Sequence, residues 1–160
     1  MRSRFLLSLL LVAPVLASFP VAAQAQDAWV GTWKLNLAKS KYEPANLAVK
    51  SQTTKLEAIA GGMKATTDTV DAQGKATHQL ATATFDGKSA EVSGAADANT
   101  TRVYKRIDAR TYEFVTSVGG KVTTTTRSVT SADGKTRTNT TTGKNAQGVT
   151  VNNVAVFDRQ

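Results

Sequence analysis

Tight-turn sequences recur along this chain at short, regular intervals, and their spacing limits the possible folds more than any other feature. The turns are built from Asp, Asn and Gly, which adopt the backbone angles that tight hairpins need. They fall at Gly61-Gly62, 71–74, Asp86-Gly87, 108–110, Gly119-Gly120, Asp133-Gly134 and 145–148. Segments of this length between turns are typical of the strands of a sandwich or barrel. The spacing therefore predicts an all-β fold made largely of hairpins.

Ten strands are predicted between these turns, at 31–37, 47–59, 63–71, 75–85, 89–93, 100–108, 111–118, 121–131, 135–142 and 149–158. Consecutive strands joined by tight hairpins pair with their chain neighbours, and closure of the sheet removes its two exposed edges. We therefore expect a closed antiparallel up-and-down β-barrel of about eight to ten strands. Residues 38–46 leave room for at most one short helix or lid after the first strand.

The composition of residues 26–160 favours strands despite a shortage of large apolar side chains. Leu, Ile, Val and Phe together make up only 23 of these 135 residues, a share at which disorder has to be considered. Thr contributes 24 of the 135, and this β-branched residue favours strands. No linker divides the segment, so we expect residues 26–160 to form a single barrel domain with a modest core.

The first 25 residues have the pattern of a secretory signal peptide. Arg2 and Arg4 precede an apolar run that closes on Ala23-Gln24-Ala25. The run is broken at Pro14 and is too short to cross about 30 Å of hydrocarbon. We expect cleavage after Ala25, with Ala23 as the alternative, export to the periplasm or the cell exterior, and no stable insertion into a membrane. Loss of the two arginines lowers the net charge from +8 to +6.

The inventory of reactive side chains is small. The chain has no Cys and one His, which excludes disulfides and thiolate chemistry and makes a His-built zinc site hard to assemble. The sequence has no G-x-S-x-G nucleophile motif with which His78 could form a catalytic triad. Most of the acidic residues fall at turns or strand ends. We interpret His78 as a surface residue and expect no enzymatic activity, no metal and no cofactor.

The positive charge does not by itself indicate a nucleic-acid partner. Lys and Arg are spread over most segments of the chain, without the stripe of alternating aromatic and basic residues that single-strand binders use. We expect no nucleic-acid partner.

Several strands show which side chains share a face. Trp33, Leu35 and Leu37 alternate with polar residues, so this face is expected to point into the core. Tyr112 and Phe114 share another such face. The strands at 121–131 and 135–142 carry Thr on both faces, which predicts a polar inner wall there.

Arg127 is the candidate for binding an anion, and a second strand carries a basic face. Arg127 shares a face with Val129, and inside a barrel its guanidinium could hold an anion through paired hydrogen bonds; the alternative is an outward-facing arginine among solvated threonines. Arg102, Tyr104 and Arg106 also share one face. The pattern leaves open which side of that strand is inner, and we interpret this face as a solvated basic one.

Three segments resemble a known family. Gly31-Thr32-Trp33-Lys34-Leu35 resembles the G-x-W signature of the calycins, which include lipocalins and fatty-acid-binding proteins. The segment 120–127 and Asp133-Gly134-Lys135 are similar to the fatty-acid-binding pattern G-K-x-T-T-x-x-R followed by D-G-K, and 154–159 looks like a divergent form of that family's ending. The whole chain also resembles uncharacterised exported bacterial proteins of lipocalin type.

The resemblance implies a barrel around a small amphipathic molecule whose carboxylate is held by Arg and Tyr. Arg127 matches one anion-binding Arg, whereas the other two positions are Ala155 and Phe157 here. It also implies that Trp33 closes one end of the barrel beneath a cation from the last strand, Arg159. The expected ligand-binding residues are Arg127, Tyr112, Phe114, Tyr104 and Phe157, and the expected structural residues are Gly31, Trp33 and Arg159.

Two functions remain open at this point. The first is a non-enzymatic carrier or sensor that binds a small apolar or amphipathic molecule outside the cytoplasm. The alternative is a structural or interaction protein of the cell envelope with a filled barrel that acts through its surface. A continuous cavity of about 300 Å³ or more would favour binding, and a filled interior would favour the surface role.

Overall fold

The structure, a computed structural model, describes residues 26–160 and shows ten antiparallel strands in one closed barrel. The expected leader at 1–25 lies outside the described residues. The strands are β1 (Gly31–Leu35), β2 (Ser51–Ile59), β3 (Gly62–Val70), β4 (Ala76–Thr84), β5 (Ser89–Ser93), β6 (Thr100–Arg106), β7 (Thr111–Val118), β8 (Lys121–Thr130), β9 (Thr136–Lys144) and β10 (Thr150–Arg159). Within this part of the chain, no helix is long and apolar enough to cross a membrane.

The strand order is that of an up-and-down barrel. Each strand pairs with the next one along the chain, and β1 pairs with β10 to close the sheet. Every predicted turn falls at the junction of two consecutive strands, with Gly62 already the first residue of β3, and Gly, Asn or Asp supplies the tight reversal. The predicted fold class is therefore confirmed, and all ten predicted strands are present.

Trp33 closes one end of the barrel. Its side chain is fully buried, with 0% of its surface exposed, and its indole Nε1 donates a hydrogen bond of 2.8 Å to the carbonyl of Trp29. The guanidinium of Arg159 lies 4.3 Å from the centre of the Trp33 ring, within the range of a cation–π contact. A Cβ at Gly31 would collide with that guanidinium, so the glycine makes room for the stack.

The chain after β1 differs from the sequence prediction. Strand β1 ends at Leu35, and Asn36 begins a 3₁₀ turn (Leu37–Lys39) by accepting a hydrogen bond from the backbone N–H of Lys39. This turn rotates Leu37 away from the core, so the expectation that Leu37 points inward is wrong: its surface is 43% exposed. A second 3₁₀ turn (Ala45–Leu47) follows before β2, and these two turns take the place of a lid helix.

We expect Trp33→Ala to lower the free energy of unfolding by about 3–5 kcal/mol, because it empties a fully buried site and removes the surface on which Arg159 stacks. Leu37→Ala is the matched control, since it truncates a large apolar residue on the exposed turn and should cost less than about 1 kcal/mol. Denaturant melts of both variants measure these values. Similar losses for the two would contradict the assignment of Trp33 as the closing residue.

Candidate functional site

The inner wall formed by β8 and β9 is polar. Thr126, Ser128 and Thr130 point inward from β8 and are all buried. The hydroxyls of Thr126 and Thr141 lie 2.9 Å apart across the two strands and share a hydrogen bond. The interior therefore contains a polar region beside its aromatic side chains, as the threonine pattern predicts.

Arg137 on β9 is the principal charge of this interior. Only 2% of its surface is exposed, and its Nη1 donates a hydrogen bond of 2.7 Å to the hydroxyl of Tyr112. The guanidinium lies 4.6 Å from the ring centre of Phe157 and 5.5 Å from that of Trp33. These aromatic contacts hold the planar group in one orientation.

The other edge of the Arg137 guanidinium is unpaired. Its Nε and Nη2 are buried and have no hydrogen-bond partner among residues 26–160. These two N–H groups point in parallel, which is the arrangement that binds both oxygens of a carboxylate. Arg137 thus presents a fork suited to a planar oxyanion.

A second arginine lies in the same interior. Arg102 on β6 donates from Nη2 to Oε1 of Gln79 at 3.3 Å, and its guanidinium lies 5.1 Å from the ring centre of Phe114. Its buried Nε has no partner in the described part of the chain. Neither Arg102 nor Arg137 forms an ion pair with any residue from 26 to 160.

Tyrosine hydroxyls complete the polar surroundings of the two arginines. The rings of Tyr104 and Phe114 have centres 5.2 Å apart, and those of Tyr104 and Tyr112 lie 6.4 Å apart. Burial raises the pKa of the Tyr104 hydroxyl above its ordinary value, an effect that nearby Arg102 opposes. Tyr104 therefore stays protonated near neutral pH and can donate a hydrogen bond without adding negative charge.

These side chains surround a small cavity. The cavity has a volume of about 70 Å³ and is lined by Arg102, Arg137, Tyr104, Tyr112 and Phe114, together with uncharged residues such as Gln52, Thr67 and Asn139. None of the described residues that line it is acidic. A water molecule needs only about 10–15 Å³ measured in this way, so the cavity admits a small anionic group. By itself it is smaller than the roughly 300 Å³ of an ordinary ligand pocket.

A second space of about 190 Å³ adjoins the cavity. It is lined by residues that include Ala95, before β6, and Thr100, at the start of β6. Gln79 and Arg102 line both spaces.

The expectation that Arg127 contributes to an interior site is wrong. Arg127 points outward from β8 and forms an ion pair with Glu113 on β7. The cause is an irregularity in the pairing of β7 with β8, where Ser117 faces Val122 but Thr116 faces Thr124. The extra residue, Thr123, shifts the register of β8 by one residue. Arg127 therefore lies opposite the outward-facing Glu113 instead of the inward-facing Tyr112.

The interpretation of Arg102, Tyr104 and Arg106 as a solvated basic face is also corrected. Tyr104 pairs with Phe114 in the β6–β7 register, and opposite residues of an antiparallel pair share a face, so Arg102 and Tyr104 point inward. Arg106 lies on the same side at the end of the strand, where it is exposed and forms an ion pair with Asp27.

Arg137 is the site residue that sequence reasoning missed. Its strand alternates between polar residues only, so hydropathy offers no signal there. The β9–β10 hairpin decides its direction, because the register places Arg137 directly opposite the buried Phe157. Counting outward from the predicted turn at 145–148 would pair Lys144 with Val149 and Arg137 with Val156, whereas the structure pairs Lys144 with Thr150, so the sequence alone would have assigned Arg137 to the wrong face.

The remaining predicted site residues occupy distinct places. Tyr104, Tyr112 and Phe114 line the cavity, whereas Phe157 lies behind it against Arg137. His78 is exposed and its Nδ1 lies 2.6 Å from a carboxylate oxygen of Asp68 on the outer surface. No group of three or more potential metal ligands occurs within residues 26–160.

Comparison of the sequence with protein-family models and with curated proteins finds no match.

We expect Arg137→Met to raise the free energy of unfolding, by up to about 4 kcal/mol, in the absence of an added carboxylate. The reason is that methionine fills similar space without an unpaired buried charge. Arg127→Met removes an exposed ion pair and should change stability by less than about 1 kcal/mol. Urea melts of both variants test this. A loss above 1 kcal/mol for Arg137→Met would assign Arg137 a structural role.

Proposed function

We propose that the protein is a non-enzymatic carrier or sensor that binds the carboxylate of a small amphipathic molecule inside its barrel, in the exported location that the leader predicts. The observation that carries the proposal is the unpaired Nε and Nη2 edge of Arg137, buried next to a cavity without an acidic lining residue.

Electrostatics supports an anionic ligand. A buried cation without a counter-ion costs several kcal/mol of stability, and an oxyanion at Arg137 would remove much of that cost. Paired, charge-assisted hydrogen bonds are about twice as strong as neutral ones. A ligand that binds the folded state alone also stabilises it, so carboxylates should raise the melting temperature.

The geometry supports a particular orientation of the ligand. Arg137, Arg102 and the hydroxyls of Tyr104 and Tyr112 converge on the cavity, so the polar end of the ligand belongs there. Tyr112 and Phe114, which the sequence predicts as ligand-binding residues, surround the polar end of the ligand in this arrangement. The calycin resemblance likewise implies a carboxylate that is bound by Arg and Tyr side chains.

The small volume of the cavity favours the second candidate function. An interior of about 70 Å³ is close to filled, as expected of an envelope protein that acts through its surface. The two functions differ in one measurable property, the affinity of the interior for a carboxylate.

We expect octanoate to bind the parent protein, and Arg137→Gln or Arg102→Gln to weaken its affinity roughly 10- to 100-fold, which corresponds to about 1.4 kcal/mol per decade. Octanamide, the neutral analogue, should bind more weakly and show little change between parent and variants. Arg127→Gln is the matched control and should leave both affinities unaltered, because Arg127 faces outward. Isothermal titration calorimetry measures all eight pairs.

Two results would count against the proposal. Equal losses for octanoate and octanamide in Arg137→Gln would show that the arginine acts through structure alone. Absence of octanoate binding by the parent protein, with no rise in its melting temperature, would favour the surface role.

A further inference from the structure

A groove of about 740 Å³ lies at the open end of the barrel, opposite the end that Trp33 closes. It runs between the start of β8 and the β9–β10 hairpin, and we name it the rim groove. Its apolar walls are formed by Val118, Val122, Ala146 and Val151. Val122 is 62% exposed, more than any other large hydrophobic side chain in the part of the chain that the structure describes. The groove is thus an uncovered apolar surface, of the kind that marks interaction sites.

The rim groove exists because two neighbouring strands separate before their ends. Strands β8 and β9 pair only from Thr124 opposite Gly143 onward. At Gly143 a Cβ would collide with the backbone of Thr123, so the glycine permits the last close crossing before the strands part. Residues 121–123 pair with β7 on one side and have no partner strand on the other within residues 26–160. They therefore form a free strand edge that borders the groove.

A free strand edge presents main-chain N–H and C=O groups to an extended peptide. Successive residues of a strand direct these groups to opposite neighbours, so part of the segment 121–123 bonds to β7 and the rest faces the groove. Among the described residues, no backbone hydrogen bond from a turn or loop reaches this segment. An added strand would make the hydrogen bonds that β9 does not supply here.

The charges around the rim groove favour an acidic partner. Lys121, at the start of β8, and Lys144, at the end of β9, both line the groove. Neither forms an ion pair with any residue from 26 to 160, and none of the described residues that line the groove is acidic. Two unpaired cations at one rim attract a carboxylate and repel a symmetrical contact that would bring the same lysines together.

We propose that the rim groove binds an extended, acidic polypeptide segment that adds as a strand to the free edge of β8. Alternate apolar side chains of that segment pack on Val118, Val122 and Val151, and an acidic residue lies between Lys121 and Lys144. The main-chain edge favours a polypeptide over a lipid, because a lipid has no row of N–H and C=O groups to match it. This site is separate from the carboxylate cavity, since the two have no described lining residue in common.

A blocked heptapeptide with valine at its three even positions, threonine between them and glutamate at both ends tests the inference. We expect it to bind the parent protein with a Kd on the order of 0.1–1 mM, because a short peptide pays for its ordering when it binds. A titration followed by amide NMR measures the affinity and should shift the signals of residues 121–123. The same peptide with lysine in place of both glutamates should bind about tenfold more weakly or not at all.

Matched variants locate the peptide on the surface. Val122→Ser should weaken its binding about three- to tenfold, and Lys121→Gln or Lys144→Gln about two- to fivefold each. Val129→Ser and Lys75→Gln are the controls, because both residues are exposed and lie outside the groove, and they should leave the affinity unaltered. Equal effects of the groove variants and the controls would overturn the inference.

Strand addition has its own signature in the main chain of the peptide. Because successive N–H groups of a strand point to opposite edges, methylation of the amide nitrogens at the even positions or at the odd positions blocks one edge only. One of these two peptides should bind about tenfold more weakly than the unmethylated peptide, and the other should bind within about threefold of it. Equal affinities of the two methylated peptides would contradict strand addition.

Two further measurements test the other possible occupants. We expect the protein to sediment as a monomer and not to bind phosphatidylglycerol vesicles. Vesicle binding that Val122→Ser abolishes, without peptide binding, would make the groove a lipid contact and overturn the inference. Dimerisation that Val122→Ser abolishes would make a second copy the occupant, with the same consequence. Octanoate titration tests the interior site separately, so either proposal can fail alone.

Discussion

Pairing of β1 with two neighbours at once closes this barrel, and the rest of the structure depends on it. The strand has five residues, which bond to β10 on one side and to β2 on the other. Trp33 stands opposite both Arg159 and Thr54, so its inward direction sets the inward rows of the two adjoining strands. Side chains alternate along each strand, and residues opposite each other on neighbouring strands share a face. The inward direction of Trp33 is therefore linked to which residues point inward on the other strands of the barrel.

The closed end and the open end of the barrel have different physical roles. At the closed end, Trp29 packs edge-on against Tyr112 and Phe85, and Arg159 covers Trp33 while its N–H groups donate to the carbonyls of Ala28, Val30 and Gly134. These contacts concentrate the large apolar side chains of a chain that has few of them. The open end has a bulge in β8, a gap in the pairing of β8 with β9, and a surface groove between the start of β8 and the β9–β10 hairpin.

Two inward-facing arginines without acidic partners, the buried Arg137 and the partly buried Arg102, lower the stability of such a small core. A protein that places unpaired charge in its interior gives up stability that an apolar residue would supply. The aromatic contacts of Arg137 with Phe157 and Trp33 and its bond to Tyr112 hold the guanidinium rigidly. A rigid fork loses little entropy when an anion binds, so the arrangement favours binding even as it weakens the core.

The spacing of turn residues was enough to predict ten strands and their hairpin connections, because tight turns are local properties of Gly, Asn and Asp. Closure of the sheet followed from the need to pair its two exposed edges. Alternation along β1 likewise indicated that Trp33 faces the core. Only the tertiary structure determined which arginines point into the interior. A single extra residue at Thr123 turns Arg127 outward, and pairing with Phe157 turns Arg137 inward. Side chains repeat every two residues, so within a polar strand both faces look alike, and only the partner strand determines which of them is enclosed.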